Sequence, residues 1–161
     1  MKRSLLIVLL CHLLAGCSRG GGATSNHAAD FTLESAAAPI KTVHLADFKG
    51  KLLLVDFWAT WCSPCRQVMP QIEKVYQKYK GQGLEVIGVT DEPRATVRAF
   101  QPTSGVTYPL YLDLGHAMNA AYGIDAIPHL FLIDRTGRIV YDEIGAGDNL
   151  DALDAAIRGN L

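Results

Sequence analysis

The chain has 161 residues, of which 49% are hydrophobic, 19% charged and 8% aromatic, and its formal net charge is −1. That length accommodates one domain and leaves no room for a second independent core. With charge nearly balanced and no run of Lys or Arg beyond the extreme N-terminus, the electrostatic footprint of a nucleic-acid partner is absent.

Residues 1–16 read as a segment apart from the fold. Lys2 and Arg3 form a cationic head, and Leu5 to Ala15 is apolar except for His12. This stretch is too short to cross roughly 30 Å of hydrocarbon as a helix but has the length of a secretory signal. It closes on Leu14-Ala15-Gly16-Cys17, which resembles the lipobox of bacterial lipoproteins, whose cysteine is acylated after cleavage. A plain signal peptide cut elsewhere is the alternative. The resemblance implies a bacterial envelope protein, lipidated at Cys17 and facing the periplasm or the outside. Ser18 after the cysteine favours the outer membrane over the inner. Without residues 1–16 the Lys+Arg total falls from 15 to 13 against 16 acids, and Cys62 and Cys65 remain as the free thiols.

Residues 17–30 are rich in Gly, Ala, Ser and Asn around Gly20-Gly21-Gly22 and are expected to form a flexible tether. From residue 31 to 161 strands and helices alternate. Pro39 to Leu45 is a predicted strand, and Lys51 to Trp58 is an apolar run typical of a strand buried on both faces. Pro64 to Tyr79 carries Val68, Ile72, Val75 and Tyr79 at helical spacing. Leu84 to Thr90 is a second buried strand. Ala95 to Gln101 is a predicted helix, Tyr108 to Leu112 an extended piece and His116 to Tyr122 a short helix. His129 to Ile133 and Arg138 to Ile144 flank the turn Asp134-Arg135-Thr136-Gly137 as a hairpin. Asp148 or Asn149 caps a last helix with Leu150, Leu153 and Ile157 inward. A βαβ unit followed by ββα gives an α/β sheet covered by helices on both faces.

Cys62-Ser63-Pro64-Cys65 stands where the buried strand passes into the first long helix. Two cysteines three apart at a helix start can face each other across one turn. The free N–H groups and helix dipole there favour a thiolate, which makes Cys62 the nucleophile and Cys65 the resolving thiol. Pro64 suits an early helical position. Half of a structural zinc site is the other reading, but a second cysteine pair is lacking.

The run Val55-Asp56-Phe57-Trp58-Ala59-Thr60-Trp61-Cys62-Ser63-Pro64-Cys65 resembles the thioredoxin active-site segment. Pro70 matches the proline that kinks the thioredoxin active-site helix, and Tyr122-Gly123-Ile124-Asp125-Ala126-Ile127-Pro128 resembles the segment bearing the family's cis-proline. The extra N-terminal strand and the stretch inserted from Asp91 to Ala121 are most similar to the membrane-associated branch that includes TlpA and ResA. The resemblance implies a thioredoxin fold, with a central mixed sheet, an N-terminal strand extension and a βαβ insertion. It implies that Asp56 is buried behind Cys65 and exchanges a proton with it, and that Pro128 is cis, leaving Ile127 to pair with substrate backbone. Trp61, Ser63 and Pro64 would frame the substrate, and Trp58 would flank the site or pack in the core.

This chain departs from the pattern at four places. Ser63 replaces the Gly of thioredoxin, Asp56 stands where many TlpA-like relatives carry Asn, Val86-Ile87-Gly88-Val89 lacks the lysine that usually accompanies the aspartate, and His129 follows Pro128 where Thr is common. His129 is a packed strand residue, a group tuning a thiolate or a metal ligand.

The expected activity is thiol–disulfide exchange outside the cytoplasm, with no cofactor beyond the Cys62–Cys65 disulfide. Its partners are protein thiols and disulfides, and the resemblance favours a reductant recharged by a membrane-embedded thiol relay, for example in cytochrome c maturation. Two other readings stand beside it. One is a copper-handling factor using the two thiolates with His129 as third ligand. The other is a thiol peroxidase, whose Pro-x-x-x-Thr-x-x-Cys pattern the residues upstream of Cys62 do not supply.

Overall fold

The computed structural model describes residues 26–145 and 150–161. The expected signal segment, Cys17 and the helix cap at Asp148 or Asn149 lie outside the described residues. The described elements are β1 (Thr32–Ser35), β2 (Thr42–His44), β3 (Leu52–Phe57), α1 (Ser63–Tyr79), β4 (Leu84–Thr90), α2 (Arg94–Phe100), β5 (Leu110–Leu112), α3 (Ala117–Tyr122), β6 (His129–Ile133), β7 (Ile139–Ile144) and α4 (Leu150–Asn160).

They form a seven-stranded mixed sheet in the order β2-β1-β5-β4-β3-β6-β7. β3 is an interior strand, parallel to β4 and antiparallel to β6, and all six of its residues are buried. Its apolar run without alternation follows from that placement, because both faces are covered. The expected insertion over 91–121 holds α2, β5 and most of α3, and with β4 before it α2 and β5 make a βαβ unit, since β4 and β5 run parallel. The β6–β7 hairpin and α4 complete the thioredoxin fold.

The N-terminal extension differs from its prediction. It is an antiparallel hairpin in which Leu33 faces Val43, so the expected single strand over 39–45 shrinks to Thr42–His44, and β1 was not anticipated. At the end of β2, Leu45–Phe48 closes into a 3-10 turn in which Asp47 accepts the His44 N–H at 2.8 Å. β1 escapes notice because four residues with one buried side chain, Leu33, carry no readable period. The end of the expected tether also belongs to the domain. The Ala28 N–H donates to Gly137 O at 2.8 Å, and the Ile139 N–H donates to Asn26 O at 2.7 Å.

Each sheet face carries its own core. Leu52, Leu54, Leu130 and Leu132 pack with Cys65, Val68, Met69 and Ile72 of α1 and with Leu153 and Ile157 of α4. Leu53, Val55, Phe57, Phe131 and Ile133 pack on the opposite face with Met118 of α3 and with Phe31. Period 2 in the strands and 3.6 in the helices sort these residues to their faces. The insertion is tied to the N-terminal hairpin by Arg94, which donates to Ser35 O and pairs with Glu34, and by Arg98, whose Nε donates to Ala36 O at 2.7 Å.

Gly88 of β4 stands opposite Asp56 of β3. A Cβ there would lie 2.7 Å from Leu110 Cδ2 and 3.0 Å from Trp58 Nε1, so the strand crosses a place where only hydrogen fits. Gly88→Ala is expected to cost about 1–3 kcal/mol through overpacking, measured by urea denaturation. A midpoint equal to that of the parent protein would show the core to be looser than this.

Candidate active site

β3 ends at Phe57 against the β4 and β6 edges, and the chain then turns through Trp58–Trp61 into α1. Cys62 is the N-cap of that helix, with extended backbone at φ −78° and ψ 101°, and Ser63-Pro64 opens its first turn. Pro lacks an N–H to leave unpaired, which is why it is accommodated there. Cys62 and Cys65 are joined by a disulfide with their Cα atoms 5.3 Å apart, so the pair closes across one turn as the spacing requires.

The electrostatics of this turn favour a thiolate at Cys62. The Cys65 N–H donates to Cys62 Sγ at 3.1 Å, and the helix N-terminus adds its positive partial charge. Both cysteines are largely enclosed, Cys62 at 4% and Cys65 at 1% exposure, whereas Trp61 at 71% stands in solvent beside them. Ser63 and Pro64 are exposed on the same turn. The Ile127–Pro128 bond is cis, and Ile127 O lies 3.8 Å from Cys62 Sγ. The expected substrate-facing groups Trp61, Ser63, Pro64 and Ile127 therefore gather around Cys62. A cleft of about 490 Å³ adjoins them, lined by Phe57, Trp61, Asp91, His116 and Ile127 among others.

Asp56 is in step with Leu52 and Leu54 on the α1 face of β3, the side on which Cys65 lies, and it is 1% exposed. Burial pushes its carboxyl up to about 7, against a smaller downward pull from the Tyr108 hydroxyl, which donates to Oδ2 at 3.2 Å. Desolvation also holds the Tyr108 phenol well above its ordinary value, with the Asp56 charge adding to it. The lysine missing from β4 is replaced by a tyrosine from the segment leading into β5.

Two further residues hold the loop before Cys62. Glu92 accepts the Thr60 N–H at 2.6 Å and the Thr60 hydroxyl at 2.7 Å, while Arg66 Nη1 donates to Thr60 O at 2.7 Å. Neither Glu92 nor Tyr108 was expected from sequence. They lie 32 and 52 positions from their partners, and no local pattern marks such pairs.

Trp58 is a core residue. It is 2% exposed, and its ring centroid lies 5.2 Å from that of Phe100. His129 is a packed strand histidine rather than a group beside the sulfurs. It stacks on Phe131 at 4.3 Å and its Nε2 lies 2.7 Å from Asp142 Oδ1, on the sheet face away from α1. Among the described residues no group of three His, Cys, Asp or Glu side chains stands together to hold a metal ion, and no helix is long and apolar enough to cross a membrane.

A mixed sheet with this strand order, a dithiol motif at the first turn of a buried-strand helix and a cis-proline opposite define a thioredoxin-fold redox protein. The chain belongs to the Redoxin family, whose signature matches residues 23–157, and within it to the TlpA/ResA-like group. It is 39% identical over 106 residues to the thiol-disulfide oxidoreductase ResA of Bacillus anthracis, a match covering 65% of this chain and 61% of that one. The chain thus spans about three fifths of the length of this relative. A thiol:disulfide interchange protein of the thioredoxin family from Chlorobium tepidum superimposes with TM-score 0.72 at 27% identity, covering 86% of this chain and 97% of that one. The thioredoxin domain of a thiol-disulfide oxidoreductase from Bacteroides vulgatus does so with TM-score 0.70 at 29% identity, covering 84% and 96%.

The buried carboxyl has a consequence for stability. The unfolded chain releases the Asp56 proton near 3.8, whereas the folded protein keeps it to about 7. Between those values the folded state binds more protons, so stability falls as pH rises, by on the order of 4 kcal/mol in all. Asp56→Asn is expected to remove this fall, making the oxidised variant more stable than the parent at pH 8 but not at pH 4. Parallel denaturation curves at the two pH values for both proteins would contradict the burial of an ionisable group here.

Proposed function

We propose that this protein is an extracytoplasmic thiol–disulfide oxidoreductase acting on protein disulfides as a reductant. The observation that carries the exchange chemistry is the Cys62–Cys65 disulfide at the N-terminus of α1, with the Cys65 N–H directed at Cys62 Sγ. Reduced Cys62, as a thiolate, attacks one sulfur of a substrate disulfide. A mixed disulfide forms and the other substrate sulfur leaves as a thiolate. Cys65 then gives its proton to the Asp56 carboxylate and attacks the Cys62 sulfur. The Cys62–Cys65 bond forms and the second substrate thiolate departs. The substrate is reduced by two electrons and the pair is oxidised.

Ile127 supports this reading, because its carbonyl beside Cys62 offers an edge to which an extended substrate segment can bond. Pro128 has no N–H to present to the sulfurs. Asp56 supports it because a carboxyl held up to about 7 can both accept and return a proton near neutral pH.

The likeness to a thiol-disulfide oxidoreductase supports the exchange chemistry, and the proposal adds a membrane-embedded thiol relay as electron donor and a role such as cytochrome c maturation. It also includes anchorage through a lipid on Cys17, in the bacterial envelope and facing the periplasm, with the lipobox resemblance of Leu14-Ala15-Gly16-Cys17 as its support. The copper-handling reading loses its third ligand, since His129 packs on the other sheet face.

Insulin reduction with dithiothreitol as donor tests the exchange. Cys62→Ser is expected to abolish turnover, and Cys65→Ser to accumulate the mixed disulfide, seen as a shifted band on a non-reducing gel. Turnover in the Cys62→Ser variant equal to that of the parent would sink the proposal. Lipidation has its own test: the full chain expressed in a bacterium fed an azido fatty acid should take up label, and Cys17→Ala should not.

A further inference from the structure

We propose that Tyr108 is a positioning residue of the exchange reaction. Its hydroxyl, 3.2 Å from Asp56 Oδ2, holds the buried carboxyl in the orientation from which it takes the Cys65 proton during resolution. This rests on the proposed role of Asp56 and goes beyond it, because it assigns to the inserted βαβ segment a share in the chemistry.

Asp56 stands opposite Gly88 on β4 and Leu130 on β6, so neither neighbouring strand presents a polar or charged side chain to it. The place a Cβ at Gly88 would take is filled by Leu110 and Trp58. The hydroxyl that reaches Asp56 comes from Tyr108, before β5, which is 1% exposed and packed edge-on against Tyr76 with ring centroids 6.3 Å apart.

The phenol is itself fixed. The segment before it is pinned to α1 by Glu73, which accepts the Thr107 N–H at 2.8 Å and the Thr107 hydroxyl at 2.7 Å. The hydroxyl cannot swing away without breaking that brace or the ring packing. The bond at Oδ2 restrains the carboxyl and leaves Oδ1 for the thiol proton. Without the phenol that restraint is lost and the buried carboxyl stays protonated to higher pH, since a donor to the charged form favours ionisation.

The titratable groups around the pair are few. α1 contributes Cys65, Tyr76, whose ring meets that of Tyr108, and Glu73, which acts on Tyr108 from the same helix. The β4 and β6 positions in register with Asp56 are Gly88 and Leu130, neither of which titrates. A pH dependence of resolution near neutrality therefore reports on the coupled Cys65–Asp56 pair, as modified by Tyr108, and comparison with Asp56→Asn isolates the carboxyl.

Tyr108→Phe removes one oxygen and keeps the ring. The experiment follows the rate of mixed-disulfide resolution against pH in the full chain, for the parent, Tyr108→Phe, Asp56→Asn and the double variant. Resolution in Tyr108→Phe is expected to rise with pH along a curve displaced upward by on the order of one unit, up to about fivefold slower at pH 7. In the Asp56→Asn background the same change is expected to move nothing. If Asp56→Asn alters the profile and Tyr108→Phe does not, the assignment of Tyr108 falls while the role of Asp56 stands. If Asp56→Asn leaves the profile of the parent, both fall. If Tyr108→Phe acts equally in both backgrounds, Tyr108 works through something other than the carboxyl and the proposal is overturned. A merely structural tyrosine would lower the melting temperature without displacing the profile. The parent protein also gives a direct reading that needs no Tyr108 variant. The Asp56 carboxyl stretch, identified by infrared difference against Asp56→Asn, should lie at the frequency of a hydrogen-bonded acid, and a free-acid frequency overturns the proposal.

Discussion

The chemistry of this protein depends on where one helix begins. α1 starts at the mouth of the sheet with Cys62 as its N-cap, so the first sulfur receives the Cys65 N–H at 3.1 Å and lies at the positive end of the helix. If the start moved by one residue, the sulfur would lose that donor and the partner thiol would turn away. Much of the surrounding structure serves to keep this start in place. β3 delivers the chain from a fully buried position, and Glu92 and Arg66 hold Thr60 from both sides two residues before the cysteine. A carboxylate accepting two hydrogen bonds is a strong restraint on a loop that has no regular structure of its own.

The two sheet faces divide the work. The face under α1 and α4 holds the cysteines, Trp58 and Tyr108 among its buried residues and also carries Asp56. The opposite face, under α3 and the N-terminal residues, is apolar and aromatic, and His129 belongs there with Phe131. Thus a residue adjacent in sequence to the cis-proline is remote in chemistry from the sulfurs. Its Nε2 meets Asp142 on the edge strand β7 instead.

The insertion is more than an appendage to the fold. The segment that leaves β4 supplies Glu92 to the loop before Cys62, and the segment that enters β5 supplies Tyr108 to the carboxyl behind Cys65. Arg94 and Arg98 join the same insertion to the N-terminal hairpin. The added elements and the reactive turn therefore form one hydrogen-bonded unit, and exchange of Tyr108 for an apolar residue would leave the buried Asp56 without that donor.

Much of this was legible in the order of residues alone. The buried run of β3, the helical spacing of α1, the Cys-x-x-Cys at their junction and Pro128 before β6 are local patterns, each set by chain geometry within a few residues. Those patterns determined the α/β class and the reactive pair, while the thioredoxin fold and the groups around the pair came with the family resemblance of residues 55–65 and 122–128. What the tertiary structure decided was everything that depends on distant segments meeting. Tyr108 and Glu92 find their partners 52 and 32 residues away, and β1 gains its place through pairing with β2 and β5 rather than through any period of its own. The side of the sheet on which His129 lies was likewise a matter of register. A strand residue's face is set by which neighbours it pairs with, and a one-residue change would have sent the same imidazole toward the sulfurs.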